Sequence, residues 1–82
     1  MNYQNRIVID PKIMVGKPVI AGTRITVERI LGMLAQGMEK KEILKEYPHL
    51  KSQDIQAAVS YAQRAVKEEK VYPLIKIRLV PA

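Results

Sequence analysis

Apolar residues recur along this chain with two different periods. From Val27 the spacing is helical, with Val27, Ile30, Leu31 and Leu34 at i, i+3, i+4 and i+7. Thr26 stands as its N-cap, Glu28 sits favourably in the first turn, and Gly37 serves as the C-terminal cap. A second, short helix is predicted over 39–47, with Ile43, Leu44 and Tyr47 as its buried stripe and Pro48 as its stop. Ser52 then reads as the N-cap of a third helix, with Asp54 in its first turn. That helix should run to about Glu69, burying Ile55, Ala58, Val59, Ala62 and Val66. Its remaining face is Gln53, Gln56, Ser60, Gln63, Arg64 and Lys67.

Ahead of the helices the apolar runs are short and rich in β-branched residues. Arg6-Ile7-Val8-Ile9-Asp10 closes on Asp10-Pro11, a turn opener. Ile13-Met14-Val15 and Val19-Ile20 follow, divided by Gly16-Lys17-Pro18. They predict a small hairpin or meander that must pack on the helices, since such strands are unstable alone. At the other end, Ile75, Ile77 and Leu79 alternate with Lys76 and Arg78 between Pro73 and Pro81. This stretch reads as a strand or extended tail. The fold class is therefore mainly α with a small β element: short N-terminal strands, a three-helix helix-turn-helix-like unit of homeodomain-like or winged-helix-like type, and a C-terminal strand or tail. Residues 1–70 form the domain and 71–82 the tail.

Eighty-two residues make one domain. A chain of that size buries only about 60–65% of its unfolded surface, so association is a natural source of added stability. With no Cys, disulfides and thiolate metal sites are excluded, and a reducing cytosol is the expected compartment. No apolar run reaches the roughly 20 residues of a membrane span, and Met1-Asn2-Tyr3-Gln4-Asn5 lacks the order of a signal peptide.

Charge adds a clue to partners. The net charge is +6, which suits nucleic acid or an acidic protein surface, or is simply solubilising. Catalysis finds little to work with. His49 is the sole histidine, Asp10 and Asp54 the sole aspartates, Ser52 and Ser60 the sole serines. No nucleophile–base–orienter set assembles from them. One His without Cys builds no zinc site, and Gly16-Lys17 lacks the rest of a phosphate loop. The expectation is no enzyme, no metal, no cofactor and no small-molecule substrate.

Three helices of about ten, nine and fifteen residues joined by tight turns match a trihelical unit whose third helix enters a DNA major groove. Gln53, Gln56, Ser60 and Gln63 would then face base edges, where Gln pairs bidentately with adenine. Lys40, Lys41, Lys51, Arg64 and Lys67 would meet phosphates, with Lys51 and Ser52 at the helix N-terminus. Against this, the same stripe describes any solvated helix face, and Glu42, Glu46 and Asp54 lie near the docking face and would repel phosphate. The tail also has two readings. It is either an edge strand guarded by charge or a pairing strand in which Ile75, Lys76, Ile77 and Arg78 hold a partner. The former, with dimerisation, is favoured. Tyr3, Tyr47, Tyr61 and Tyr72 are too dispersed for a base-stacking platform.

Asp10-Pro11, then GKPVIAGTRITV from Gly16 to Val27, then Gly37, Tyr47-Pro48-His49-Leu50 and Ala58/Tyr61-Ala62, taken in that order, resemble the domain of unknown function 433 family over about residues 6–63. Gly16, Lys17, Pro18, Gly22, Thr23 and Arg24 match its signature. This resemblance implies a predicted VapB-like antitoxin of a bacterial toxin–antitoxin pair. Such a protein represses its own operon through double-stranded operator DNA and neutralises a PIN-like ribonuclease. A homodimer is expected. The alternative is an interaction module or structural dimer that binds no DNA. Where the family commonly starts the second helix with Ser or Thr, this chain has Glu39, a weaker cap. Arg24, beside Gly22, can reach a phosphate or a partner carboxylate, with a structural ion pair the favoured fate.

Overall fold

A computed structural model of the chain describes residues 5–68. In order along the chain come β1 (Ile7–Val8), β2 (Val19–Ile20), α1 (Val27–Ala35), α2 (Lys40–Glu46) and α3 (Ser52–Lys67). The predicted class holds: mainly helical, with a small β element at the N-terminal side. The predicted tail at 71–82 lies outside the described residues.

The strands pair antiparallel, Ile7 opposite Ile20 and Val8 opposite Val19. Beyond β2 the chain turns at once. Thr23 donates its N–H to the Ile20 carbonyl at 3.0 Å across a turn whose third position, Gly22, has φ +77°. That positive φ at the third position of a β-turn is what calls for Gly. Thr23 closes the turn a second time, its hydroxyl donating to the Ile20 carbonyl at 2.8 Å and accepting from Ile25 N–H at 3.0 Å. Ile20 N–H then reaches the Ile25 carbonyl and Val27 N–H the Pro18 carbonyl, both at 2.9 Å. The GKPVIAGTRITV run is thus a doubly bonded joint that delivers β2 onto α1.

The predicted strand at Ile13-Met14-Val15 is overturned. Asp10 accepts from Lys12 N–H with its side chain and from Ile13 N–H with its backbone, and Gly16 N–H donates to the Ile13 carbonyl. Three residues caught between two such turns cannot extend, and they form one 3₁₀-type turn at Met14–Gly16. Met14 and Val15 take φ of +49° and +57°. A left-handed conformation costs a residue with a side chain about 1–3 kcal/mol, and β-branching places Val at the unfavourable end of tolerance.

The helices begin and end where their caps dictate. Thr26 accepts from Arg29 N–H at 3.0 Å at the start of α1. At its end Gly37, φ +93°, lets Met38 N–H return to the Met33 carbonyl at 3.1 Å, a Schellman closure. Glu39 does cap α2: Glu42 reaches back to its N–H at 2.8 Å, so the missing Ser or Thr is compensated by the reciprocal bond. At α3 the cap shifts by one residue from expectation. Lys51 is the N-cap and Ser52 the first helical residue, because the Asp54 carboxylate takes the Lys51 N–H at 2.9 Å.

Ile30 of α1, Ile43 of α2 and Ile55 of α3 have no solvent exposure and meet at the centre with Ile20, Val27, Met33, Leu50 and Ala58. Met33, absent from the predicted stripe, is buried in α1, while Leu31 and Leu34 are only partly so. The predicted inner face of α3 is also corrected. Val59 and Val66 are exposed and Ala57 is buried instead. α1 and α2 cover α3 on the side of Asp54, Ile55, Ala57 and Ala58, and the stripe rotates accordingly.

One long-range pair ties the strand region to α3. Arg6 donates to Asp54 Oδ1 at 2.9 Å while Asp54 Oδ2 holds the cap, and the carboxylate is largely buried. Removing it strips α3 of its cap and leaves a part-buried guanidinium unpaired. Asp54→Ala is expected to lower unfolding free energy by about 2–3 kcal/mol in urea titrations. Thr26→Ala, which loses a cap alone, should cost about 1 kcal/mol.

Candidate nucleic-acid interface

α2 and α3 are joined by the turn Tyr47–Lys51, and α1 packs across α3 from behind. Leu50, buried within that turn, anchors it to the core, and Tyr47 N–H closes α2 on the Ile43 carbonyl. This places the first turns of α3 at the surface on a rigid support.

Ser52, Gln53 and Gln56 are exposed on those first turns, with Lys51 just ahead of them, and Ser60 is half-buried further along the same face. With 3.6 residues per turn, Gln53, Gln56, Ser60, Gln63 and Lys67 form one continuous strip. The only acid within Ser52–Lys67 is Asp54, and it does not point there. It is 7% exposed and bound to Arg6 and to the Lys51 N–H. The repulsion expected of Asp54 at this face is therefore absent, since its charge is turned inward and compensated.

The basic residues divide into groups. Lys51 sits at the N-terminus of α3, where free amides and the helix dipole favour an anion. Lys40 and Lys41 stand in the first turn of α2, whose length separates them by roughly 10 Å along its axis from the turn that leads into α3. Lys41 lies 3.8 Å from Glu39. Arg64 is engaged by Glu68 at 2.9 Å, one helical turn on, which lowers its availability to a phosphate. Glu42 serves α2 as a capping acid, and Glu46 is exposed at that helix's last residue. The tail residues Ile75, Lys76, Ile77 and Arg78 lie outside the described residues.

Arg29 was not singled out from the sequence. It is exposed on α1, and its Nε donates to the Tyr47 hydroxyl at 2.7 Å at the mouth of the turn. This bond and the nearby Tyr47 oxygen hold the guanidinium above its already high ordinary pKa. An Arg–Tyr pair 18 positions apart leaves no periodic trace in the sequence.

Of the signature residues, Gly22 and Thr23 build the turn, and Lys17 reaches Glu28 at 3.2 Å in an exposed pair. Arg24 departs from expectation. It is exposed and forms no ion pair among the described residues, because neither Glu28 nor Asp10 is turned toward it: the one binds Lys17 and the other its own turn. Among the described residues, no three His, Asp or Glu side chains converge to hold a metal, and no helix is long and apolar enough to cross a membrane.

Comparisons with known proteins agree with this architecture. A crystal structure of a DUF433 member protein from Anabaena variabilis ATCC 29413, at 2.00 Å resolution, superposes with a TM-score of 0.73 at 33% identity, covering 84% of this chain and 68% of that one. No curated protein matches. The family model described as "Protein of unknown function (DUF433)" matches residues 7–62, from β1 through the middle of α3. The chain belongs to the DUF433 family.

Proposed function

We propose that this protein binds duplex DNA through α3 as an antitoxin-type repressor of its own operon, without catalysis, and neutralises a PIN-like ribonuclease. The observation that carries the DNA reading is the acid-free outer face of α3. Ser52, Gln53 and Gln56 stand exposed at its start while its one carboxylate is buried. In a docked helix the N-terminal residues meet base edges first. Uncharged amides there both donate and accept, while Lys51 and the helix dipole hold a phosphate. Neutralisation of a nuclease rests on what the signature motifs imply, and co-purification with the product of the neighbouring reading frame tests it.

A second reading, a structural dimer that binds no DNA, is favoured by a different observation. Val59, Ala62 and Val66 form an apolar stripe on α3, roughly a quarter turn away from the amide strip, and both valines are exposed. The small Ala62 between them allows close approach of a second helix.

The two readings separate by measurement. Fluorescence anisotropy with the protein's own upstream DNA should show preference over random duplex, and equal affinity for both would end the repressor reading. Gln56→Ala should cost about 1–3 kcal/mol of discrimination with little loss on random DNA. Lys51→Ala should weaken binding to all sequences alike and reduce the slope of log K against log salt by about 1. Val66→Glu, at an exposed position, should leave the fold intact and shift sedimentation equilibrium from dimer to monomer.

A further inference from the structure

The segment between β1 and β2 holds a backbone conformation that its residue types disfavour. Met14 and Val15 take left-handed φ one after the other ahead of Gly16. Two γ carbons make Val a poor occupant of that region. Val15 is 92% exposed, so no packing among the described residues offsets the strain. Ile9 and Met14 on the same segment are also exposed.

The turn adjoins a hollow. Ile13, just ahead of it, lines an open depression of about 340 Å³ together with Val8, Val19, Gly22, Thr23 and Arg24. Its walls are aliphatic and its one charge is the Arg24 guanidinium, which has no acidic partner among the described residues. Lys12 precedes the turn and is exposed, whereas the Asp10 carboxylate is occupied by the Lys12 N–H. The patch is thus apolar, with Arg24 on its rim free of an acidic partner among the described residues.

We infer that the strained turn, the hollow and Arg24 form a docking site for an acidic, aliphatic segment of a partner protein. An aliphatic side chain of that segment fills the hollow between Val8, Ile13 and Val19. A carboxylate beside it meets Arg24, whose planar fork grips such a group bidentately. Val15 and Met14, held outward by the turn, add apolar contact, and that contact is what offsets the backbone strain. Nucleic acid fits less well: the walls are aliphatic and offer no aromatic face for a base to stack on. The site shares no residue with α3 and stands or falls apart from the DNA reading.

A backbone-amide NMR titration of the full chain tests it, with a synthetic peptide of alternating Glu and Leu as the probe. Shifts should gather at Val8, Ile13–Gly16, Val19 and Gly22–Arg24 and saturate. The Gln-for-Glu peptide should bind at least about tenfold more weakly, and Arg24→Ala should reproduce that loss. Val15→Gly separates strain from folding. It should leave the thermal midpoint no lower than that of the parent chain, since strain relief offsets the added unfolded-state entropy, while weakening the peptide several-fold. Shifts spread over α3 instead, equal binding of a Lys-for-Glu peptide, or unchanged affinity in Val15→Gly would each overturn the proposal. Duplex DNA moving the same resonances more strongly than the peptide would overturn it too, assigning the patch to nucleic acid.

Discussion

Asp54 holds the molecule together from an unusual position, one carboxylate oxygen on the Arg6 guanidinium and the other on the Lys51 N–H. Each bond is ordinary by itself. Together they start α3, pin the beginning of the described chain against it across 48 residues, and withdraw the helix's only acid from its outer face. A carboxylate of this kind, part-buried and doubly bonded, has its desolvation offset by the charged partner, and losing either bond exposes that cost. The β element, the helix start and the electrostatics of the candidate interface all depend on it.

The isoleucines at the centre are the other half of the scaffold. Ile30, Ile43 and Ile55 come one from each helix and are fully buried, each worth about 1.5–3 kcal/mol in transfer from water. That places most of the cohesion in a small knot of side chains around which short elements are capped individually. α2 has seven residues and two-residue strands frame the sheet, and pieces so short are marginal without caps and tertiary contacts. The density of Thr26, Gly37, Glu42, Asp54 and Thr23 bonds answers that constraint.

α3 then serves three surfaces with one helix. Its inner side meets the core through Ile55, Ala57 and Ala58, its amide strip faces outward, and Val59, Ala62 and Val66 occupy the arc between them. The GKPVIAGTRITV run divides in the same way. Gly22 and Thr23 are spent on the turn, while Arg24 is left facing solvent. Family signature residues are therefore partly scaffold and partly surface, a division invisible in the motif itself.

Much of this was legible from residue order alone. Helical spacing from Val27, the Thr26 cap, the Gly37 stop and Pro48 placed three helices within a residue or two, because caps and breakers act locally. The Ile7–Val8 and Val19–Ile20 strands followed from β-branched runs bounded by turn residues. Tertiary structure decided the rest. It turned Ile13–Val15 into a strained turn, since the competing hydrogen bonds at Asp10 and Gly16 depend on three-dimensional closure. It rotated α3 so that Ala57 is buried and Val59 and Val66 are not, because periodicity gives a stripe but only neighbouring helices choose its centre. It also took Asp54 away from the outer face and left Arg24 without an ion pair among the described residues. Local sequence determines where a helix begins. Which of its charges meets water is settled by partners tens of residues away.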